Sequence, residues 1–229
     1  MYDTWIQAAT EGKMTAATMI NMNAAFDTVD IDILLGKCKL YNFGDGAMKL
    51  LESYLRDREQ LVSIGGSESD VRKLEAGVPQ GSILGPLLYT LYTNDFPEVV
   101  HKTGCKEAQV EGASIRFRTM CTTCGSVVCF ADDSTYTVIA GEEVMTEKLI
   151  IHFEKMAEYL EEQRLSVNQD KTHLLLLTTA QRRRHIHNEI TVKTEKEIIK
   201  YTETEKLLGI ELEQNMGFGR HIDNLIGKL

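Results

Sequence analysis

Asp132 and Asp133 stand side by side in the segment Phe130-Ala131-Asp132-Asp133, bracketed by apolar and β-forming residues. Two adjacent carboxylates make poor packing material, because a charge withdrawn from water must be paired or must coordinate a metal. At a strand turn they become hard oxygen donors for a divalent cation such as Mg2+ or Mn2+. Two such ions, about 4 Å apart, stabilise both the attacking and the leaving oxygen of an in-line displacement at phosphorus, provided further carboxylates converge on them. Two upstream segments also stand out by their residue types: Asn21-Met22-Asn23-Ala24-Ala25-Phe26-Asp27 and Gly77-Val78-Pro79-Gln80-Gly81-Ser82-Ile83-Leu84-Gly85-Pro86. The glycines of the second permit close approach of backbone to a ligand. Without the other motifs it reads as a generic Gly/Pro turn with Ser82 as helix cap.

Three later segments follow in order: Leu165-Ser166-Val167-Asn168-Gln169-Asp170-Lys171-Thr172, Leu207-Leu208-Gly209, and Phe218-Gly219-Arg220-His221-Ile222. The whole series resembles the reverse transcriptases of non-LTR (LINE-type) retrotransposons, and the resemblance covers almost the entire chain. It implies an RNA-directed DNA polymerase that takes an RNA template, a DNA primer and deoxynucleoside triphosphates, with two Mg2+ or Mn2+ ions. By the same resemblance Asp132 and Asp133 are metal ligands and Phe26 is an aromatic gate beneath the sugar of the incoming nucleotide. Gln80 and Gly81 belong to the loop that meets that nucleotide, and Lys171 lies near its phosphates, assisting protonation of the leaving group. Leu207-Leu208-Gly209 matches the hairpin that holds the primer end, and Phe218 to Ile222 the opening of the thumb.

The pattern departs from the family at Asn21, where the first strand should carry the third catalytic Asp. An amide oxygen can touch a metal but carries no net charge, so one of the anions that offset two closely spaced divalent ions is lost. Weak or absent binding of the ion pair, and severely reduced catalysis, are expected. Only about twenty residues precede this motif, so the family's fingers are expected to be missing. On composition alone Phe26 is core, Lys171 is one surface lysine among many, and Asp27 and Asp30 are acids at the N-terminus of a following helix.

The elements that must position these residues can be read from periodicity. Tyr2 to Ala9 is helical, and the Thr/Ile/Met-rich run Thr15 to Met22 suits a buried strand with Asn21 at its end. Helical spacing recurs over Asp32 to Leu40 and Asp45 to Leu55, giving two helices behind that strand. Gln60 to Ile64 and Val71 to Leu74 flank Gly65-Gly66-Ser67 as the strands of a hairpin. Val127 to Phe130 and Ser134 to Val138 form a second hairpin with Asp132 and Asp133 at its turn. Met145, Leu149, Phe153, Met156 and Leu160 mark a long amphipathic helix across the sheet. Thr172 to Thr178 is a strand, Thr179 to His187 a polar basic loop, Leu207 to Leu212 a strand, and His221 to Leu229 a helix. The expected fold is α+β: a right-hand polymerase palm, an antiparallel sheet backed by helices on one face, with the Asn21 strand beside the Asp132-Asp133 hairpin. Residues 1–178 form this palm, with a surface insertion at 101–125, and 179–229 the primer-grip hairpin and the beginning of a thumb.

The 229 residues carry a formal net charge of −9, which argues against gripping a nucleic-acid backbone over the whole surface and confines any such binding to local patches. Arg182-Arg183-Arg184-His185 is the one dense basic run. Five cysteines, an odd number, do not suggest a secreted disulfide scaffold, and no apolar run approaches the roughly 20 residues of a membrane helix. An intracellular chain, in cytoplasm or nucleus and without membrane contact, is expected. Cys121-x-x-Cys124 is half a zinc ribbon, with His101 and Cys105 upstream as loose partners for a structural Zn2+; free thiols in a surface insertion are the alternative. Two competing readings of the chain remain open: a nucleic-acid- or protein-binding remnant that has dropped catalysis and works through Arg182 to Arg184 and the thumb-like tail, and an unrelated two-metal hydrolase built on Asp132 and Asp133.

Overall fold

The computed structural model describes residues 1–100, 125–130, 133–183, 192–193 and 198–228. Asp132, the candidate zinc ligands His101, Cys105, Cys121 and Cys124, and all of the 101–125 insertion but Gly125 lie outside the described residues. In chain order the elements are α1 (Tyr2–Thr10), β1 (Met14–Ile20), α2 (Ile31–Leu40), α3 (Asp45–Leu55), β2 (Arg58–Gln60), β3 (Ser63–Ile64), β4 (Ser67–Glu68), β5 (Arg72–Leu74) and α4 (Leu84–Thr93). They continue as β6 (Ser126–Phe130), β7 (Asp133–Ala140), α5 (Glu142–Glu162), β8 (His173–Leu177), α6 (Ala180–Arg183), β9 (Val192–Lys193), β10 (Ile198–Thr202), β11 (Thr204–Leu207), β12 (Ile210–Glu213) and α7 (Gly219–Ile226). Two compact units result: Met1–Asn21 with Phe96–Tyr159 and Val167–Leu229, and Met22–Asp95 with Leu160–Ser166.

The first unit is built on a sheet of strand order β6-β7-β1-β8-β10-β9. All seven residues of β1 are buried, which is why that segment shows an unbroken apolar and threonine run without polar alternation: both of its faces are covered. On one face Trp5 of α1 packs with Ala17, Met19, Leu175, Leu177 and Leu212. On the other, Tyr136 of β7 meets His152 and Phe153 of α5, ring centroids 5.7 and 5.5 Å apart and nearly perpendicular. The long helix expected across the sheet is thus α5, whereas the two helices expected behind the first strand, α2 and α3, belong to the second unit, and the opposite face carries α1 and the C-terminal hairpin. The predicted stripe Met145, Leu149, Phe153, Met156 and Leu160 is buried along α5.

The pairings β6·β7, β7·β1 and β1·β8 are antiparallel, whereas β10 joins β8 in parallel. A parallel neighbour requires a crossover of a dozen or more residues, and the stretch between Leu177 and Ile198 supplies the length. Two expectations need correction. Leu207 to Leu212 is not one strand but two, β11 and β12, turned at Leu208 and Gly209 with φ of 48° and 88°. Paired left-handed residues make the tight turn that matches strand twist, and a leucine in that conformation hides the signal. The basic loop after Thr179 opens as one helical turn, α6, whose Arg182 amide donates to Thr179 Oγ1 at 3.3 Å.

The second unit gathers α2, α3 and α4 with the small ladders β2·β5 and β3·β4; the turn at Gly65-Gly66 is as expected, but the expected pair of strands is split, β3 pairing with β4 and β5 with β2. Asp30, not Asp27, caps α2: its carboxylate accepts the Ile33 amide at 2.9 Å and pairs with Arg164. Ser82 Oγ accepts the Gly85 amide at 2.9 Å and so caps α4, whose third residue, Pro86, has no intrahelical amide to lose. Among the described residues no helix is long and apolar enough to cross a membrane.

Candidate active site

Strand register decides where the candidate residues of the first unit fall. The β1·β7 ladder ends at Ile20↔Ser134, so the next pair is Asn21 opposite Asp133. The β1·β8 ladder runs through Met19↔His173, and two steps further Lys171 stands opposite Asn21 on the other side. Alternation then puts Asp133, Asn21 and Lys171 in one row, on the face that carries Met19 and Thr135. All three line one cavity at the strand ends, whose far wall is Glu205, Leu207 and Leu208 of the β11–β12 hairpin. Asp133 and Lys171 are exposed and Asn21 is half-buried.

The segment Asn168 to Thr172 holds this row in place. Asn168 donates its backbone amide to the Asn21 carbonyl at 2.8 Å, and the Asn21 amide donates to Thr172 Oγ1 at 3.2 Å. The Asn168 side-chain oxygen accepts the Lys171 amide at 3.2 Å, closing a turn that sets the lysine at the end of β8. The Asn-x-x-Lys-Thr pattern thus has a local job: its asparagine and threonine fix the backbone at position 21 while its lysine is presented beside it. His173, two residues along β8 from Lys171 and on the same face, places Nδ1 2.8 Å from Glu205 Oε2. Sequence reasoning missed both; alternation from Lys171 could have found His173, but nothing local marks Glu205 as its partner.

The donor set at this row is hard oxygen: the Asp133 carboxylate and the Asn21 amide. That chemistry fits a divalent ion of the Mg2+ class. Among the described residues no group of three or more His, Cys, Asp and Glu is gathered to hold a metal.

Phe26, Gln80 and Gly81 belong to the second unit, where backbone bonds sew their two segments together. Gly77 donates to the Val29 carbonyl and Val78 to that of Phe26, both at 2.8 Å. Gly77 has φ +93°, and a Cβ there would lie 2.9 Å from the Asp27 carbonyl oxygen, so a side chain is excluded twice over. Gly81, with φ +76°, has open space around it. Half-buried Phe26 stacks on Tyr89 with centroids 4.7 Å apart. Gln80 Nε2 donates to Asp27 Oδ1 at 2.9 Å, so the role expected of Asp27 as a helix acid is replaced by a side-chain contact to the loop.

The sequence model for the family described as reverse transcriptase (RNA-dependent DNA polymerase) matches residues 4–212. The chain is 28% identical over 221 residues to the RNA-directed DNA polymerase from mobile element jockey of Drosophila funebris, covering 96% of this chain and 22% of that protein. A probable RNA-directed DNA polymerase from transposon BS of Drosophila melanogaster is 44% identical over 92 residues, 40% of this chain and 10% of that one. The chain therefore spans about a fifth, or less, of the length of these relatives. Among solved structures, apo telomerase from Candida tropicalis, truncated from its C-terminal domain, superposes with a TM-score of 0.59 at 12% identity. The match covers 94% of this chain and 38% of that one, a likeness of fold alone.

Proposed function

We propose, from the premise that this chain belongs to the reverse transcriptase (RNA-dependent DNA polymerase) family, that it is a polymerase palm whose catalysis is severely reduced at Asn21. The chain is a reverse-transcriptase-like domain of the non-LTR retrotransposon class, as its mobile-element relatives are. The family's reaction uses divalent metal ions, and here Asp133 with Asp132 would hold Mg2+ or Mn2+. Such an ion supplies positive charge where negative charge develops on the reacting oxygens.

The chain's own residues supply the rest. Lys171, fixed at the end of β8 by the Asn168 turn, stands in the row where it can meet phosphate charge and give up a proton to the leaving group. The Gly77 to Gly81 loop, anchored to Phe26 and Val29, would receive the incoming deoxynucleoside triphosphate, with Phe26 beneath its sugar and Gln80 and Gly81 against it. An RNA template and a DNA primer are the partners of that reading, the primer end resting against the β11–β12 hairpin. Residues 1–178 are assigned to the palm and 179–229 to primer grip and thumb.

One observation carries the impairment: the residue in register with Asp133, and in one row with Lys171, is an amide rather than a carboxylate. A missing unit charge about 4 Å from a divalent ion removes several kcal/mol of attraction at an effective dielectric near 20. The test is Mg2+- or Mn2+-dependent extension of a DNA primer on an RNA template by the purified chain and its Asn21→Asp variant. The expected result is negligible extension by the chain as it stands and a gain of roughly 100-fold or more in the variant. Comparable extension by both would remove the impairment; silence in both would show that Asn21 is not the sole lesion.

A further inference from the structure

Asp27 is left without a role by the reading above, although it is the residue that touches Gln80. We propose that Asp27 is a positioning residue for Gln80, anchoring the amide nitrogen so that the amide oxygen is presented as a fixed hydrogen-bond acceptor to a donor group on the incoming nucleotide. The nucleotide half of this inference rests on the nucleotide-binding reading of the loop; the anchoring half does not.

The chemistry leaves little freedom. An ionised carboxylate only accepts hydrogen bonds, so the end of the Gln80 amide that meets Asp27 Oδ1 at 2.9 Å must be the NH2 group. The amide oxygen is then turned away from Asp27, and the group it can recognise is a donor. Both side chains are exposed, and the main chain keeps their two segments together. Val78 is bound to Phe26 and Gly77 to Val29, on either side of Asp27, and Gly77 lies against the Asp27 backbone so closely that no Cβ fits. Phe26, directly before Asp27, is held by Tyr89. The anchor and the residue it anchors therefore sit on two segments whose spacing is fixed by main-chain bonds, and a bound nucleotide would meet a Gln80 side chain whose orientation cost has already been met.

The experiment reads both halves in the intact chain. The side-chain amide resonances of Gln80, identified by their loss in Gln80→Ala, are compared among the parent, Asp27→Ala and Asp27→Asn. Equilibrium binding of dGTP to the same proteins is then measured on a dideoxy-terminated primer paired with an RNA template, so that no turnover is needed. The expected result is that Asp27→Ala moves the Gln80 amide resonances to free-amide positions and weakens dGTP roughly three- to ten-fold. Asp27→Asn, whose Oδ1 still accepts, recovers most of both; Asp27→Ala combined with Gln80→Ala is no weaker than Gln80→Ala alone. Unmoved Gln80 resonances in a folded Asp27→Ala chain would overturn the anchoring. Moved resonances with unchanged dGTP affinity would overturn its service to the nucleotide. A parent chain that binds no dGTP would overturn the nucleotide half together with the loop's proposed function, while the resonances still decide the anchor.

Discussion

At position 77 the difference between a motif that is only a turn and one that builds a site comes down to a single missing Cβ. Gly77 combines φ +93° with a backbone neighbour 2.9 Å from where a Cβ would stand, whereas Gly81 combines φ +76° with open space. Gly81→Ala should cost about 1–2 kcal/mol of left-handed strain. Gly77→Ala adds a clash with the Asp27 main chain, which cannot swing aside as a side chain could, and should cost about 3 kcal/mol or more. Urea unfolding of the two variants measures the gap, and equal losses would show that the Gly77 contact relaxes freely. At this scale the sequence was informative about where residues lie and less so about what each one touches. Asn21, Asp133 and Lys171 fall where the motif order puts them, because strand register carries a local pattern faithfully across a ladder. Asp27 and Asp30 have the same charge and lie three residues apart; only the fold shows that Asp30 caps the helix and Asp27 accepts from Gln80.

Among elements, the β7–α5 contact shows what the long amphipathic helix contributes to the sheet behind the site. Tyr136 is fully buried, donates or accepts across to His152 Nδ1, and has its phenol pushed well above its ordinary pKa by burial. In the unfolded chain the same phenol ionises near pH 10. Above that pH the unfolded state has released a proton that the folded state retains, so stability falls as pH rises, by about 1.4 kcal/mol per pH unit for this one group until its raised pKa is reached. Tyr136→Phe should lower stability at pH 8 by about 1 kcal/mol through the lost hydrogen bond, yet flatten the decline above pH 10 relative to the parent. Parallel alkaline slopes in the two proteins would contradict this. Elements with long apolar repeats, such as α5 and the buried β1, were legible because burial imposes the period. Periodicity shows neither the β11–β12 turn, which only the motif Leu207-Leu208-Gly209 pointed to, nor α6: a leucine at positive φ and a threonine cap on a four-residue helix leave no periodic trace.

For the molecule as a whole, the division into two units depends on pairings that no window of sequence displays. Leu160–Ser166 joins the second unit because Arg164 pairs with Asp30, Tyr92 donates to the Gln163 carbonyl and Asn23 donates to that of Ser166. Long-range bonds of this kind also decide the worth of the basic run, which composition alone offers as a nucleic-acid patch on a chain of net charge −9. Arg183 is paired with Glu203 at 3.6 Å, and the Arg182 guanidinium lies against Gly12, 2.6 Å from where a Cβ would stand. Side chains that must leave such contacts to reach a duplex gain less from its phosphates than free ones do. Replacing Arg182 and Arg183 together by Gln should therefore change the affinity for an RNA–DNA primer–template by less than about three-fold and the log–log salt slope by less than about 1, where two free phosphate contacts would change the slope by nearly 2. Fluorescence anisotropy across a salt series gives both quantities. A loss of about ten-fold or more with a slope change near 2 would mean that these arginines leave their partners for the nucleic acid, and would favour a binding remnant over an impaired polymerase as the chain's present role.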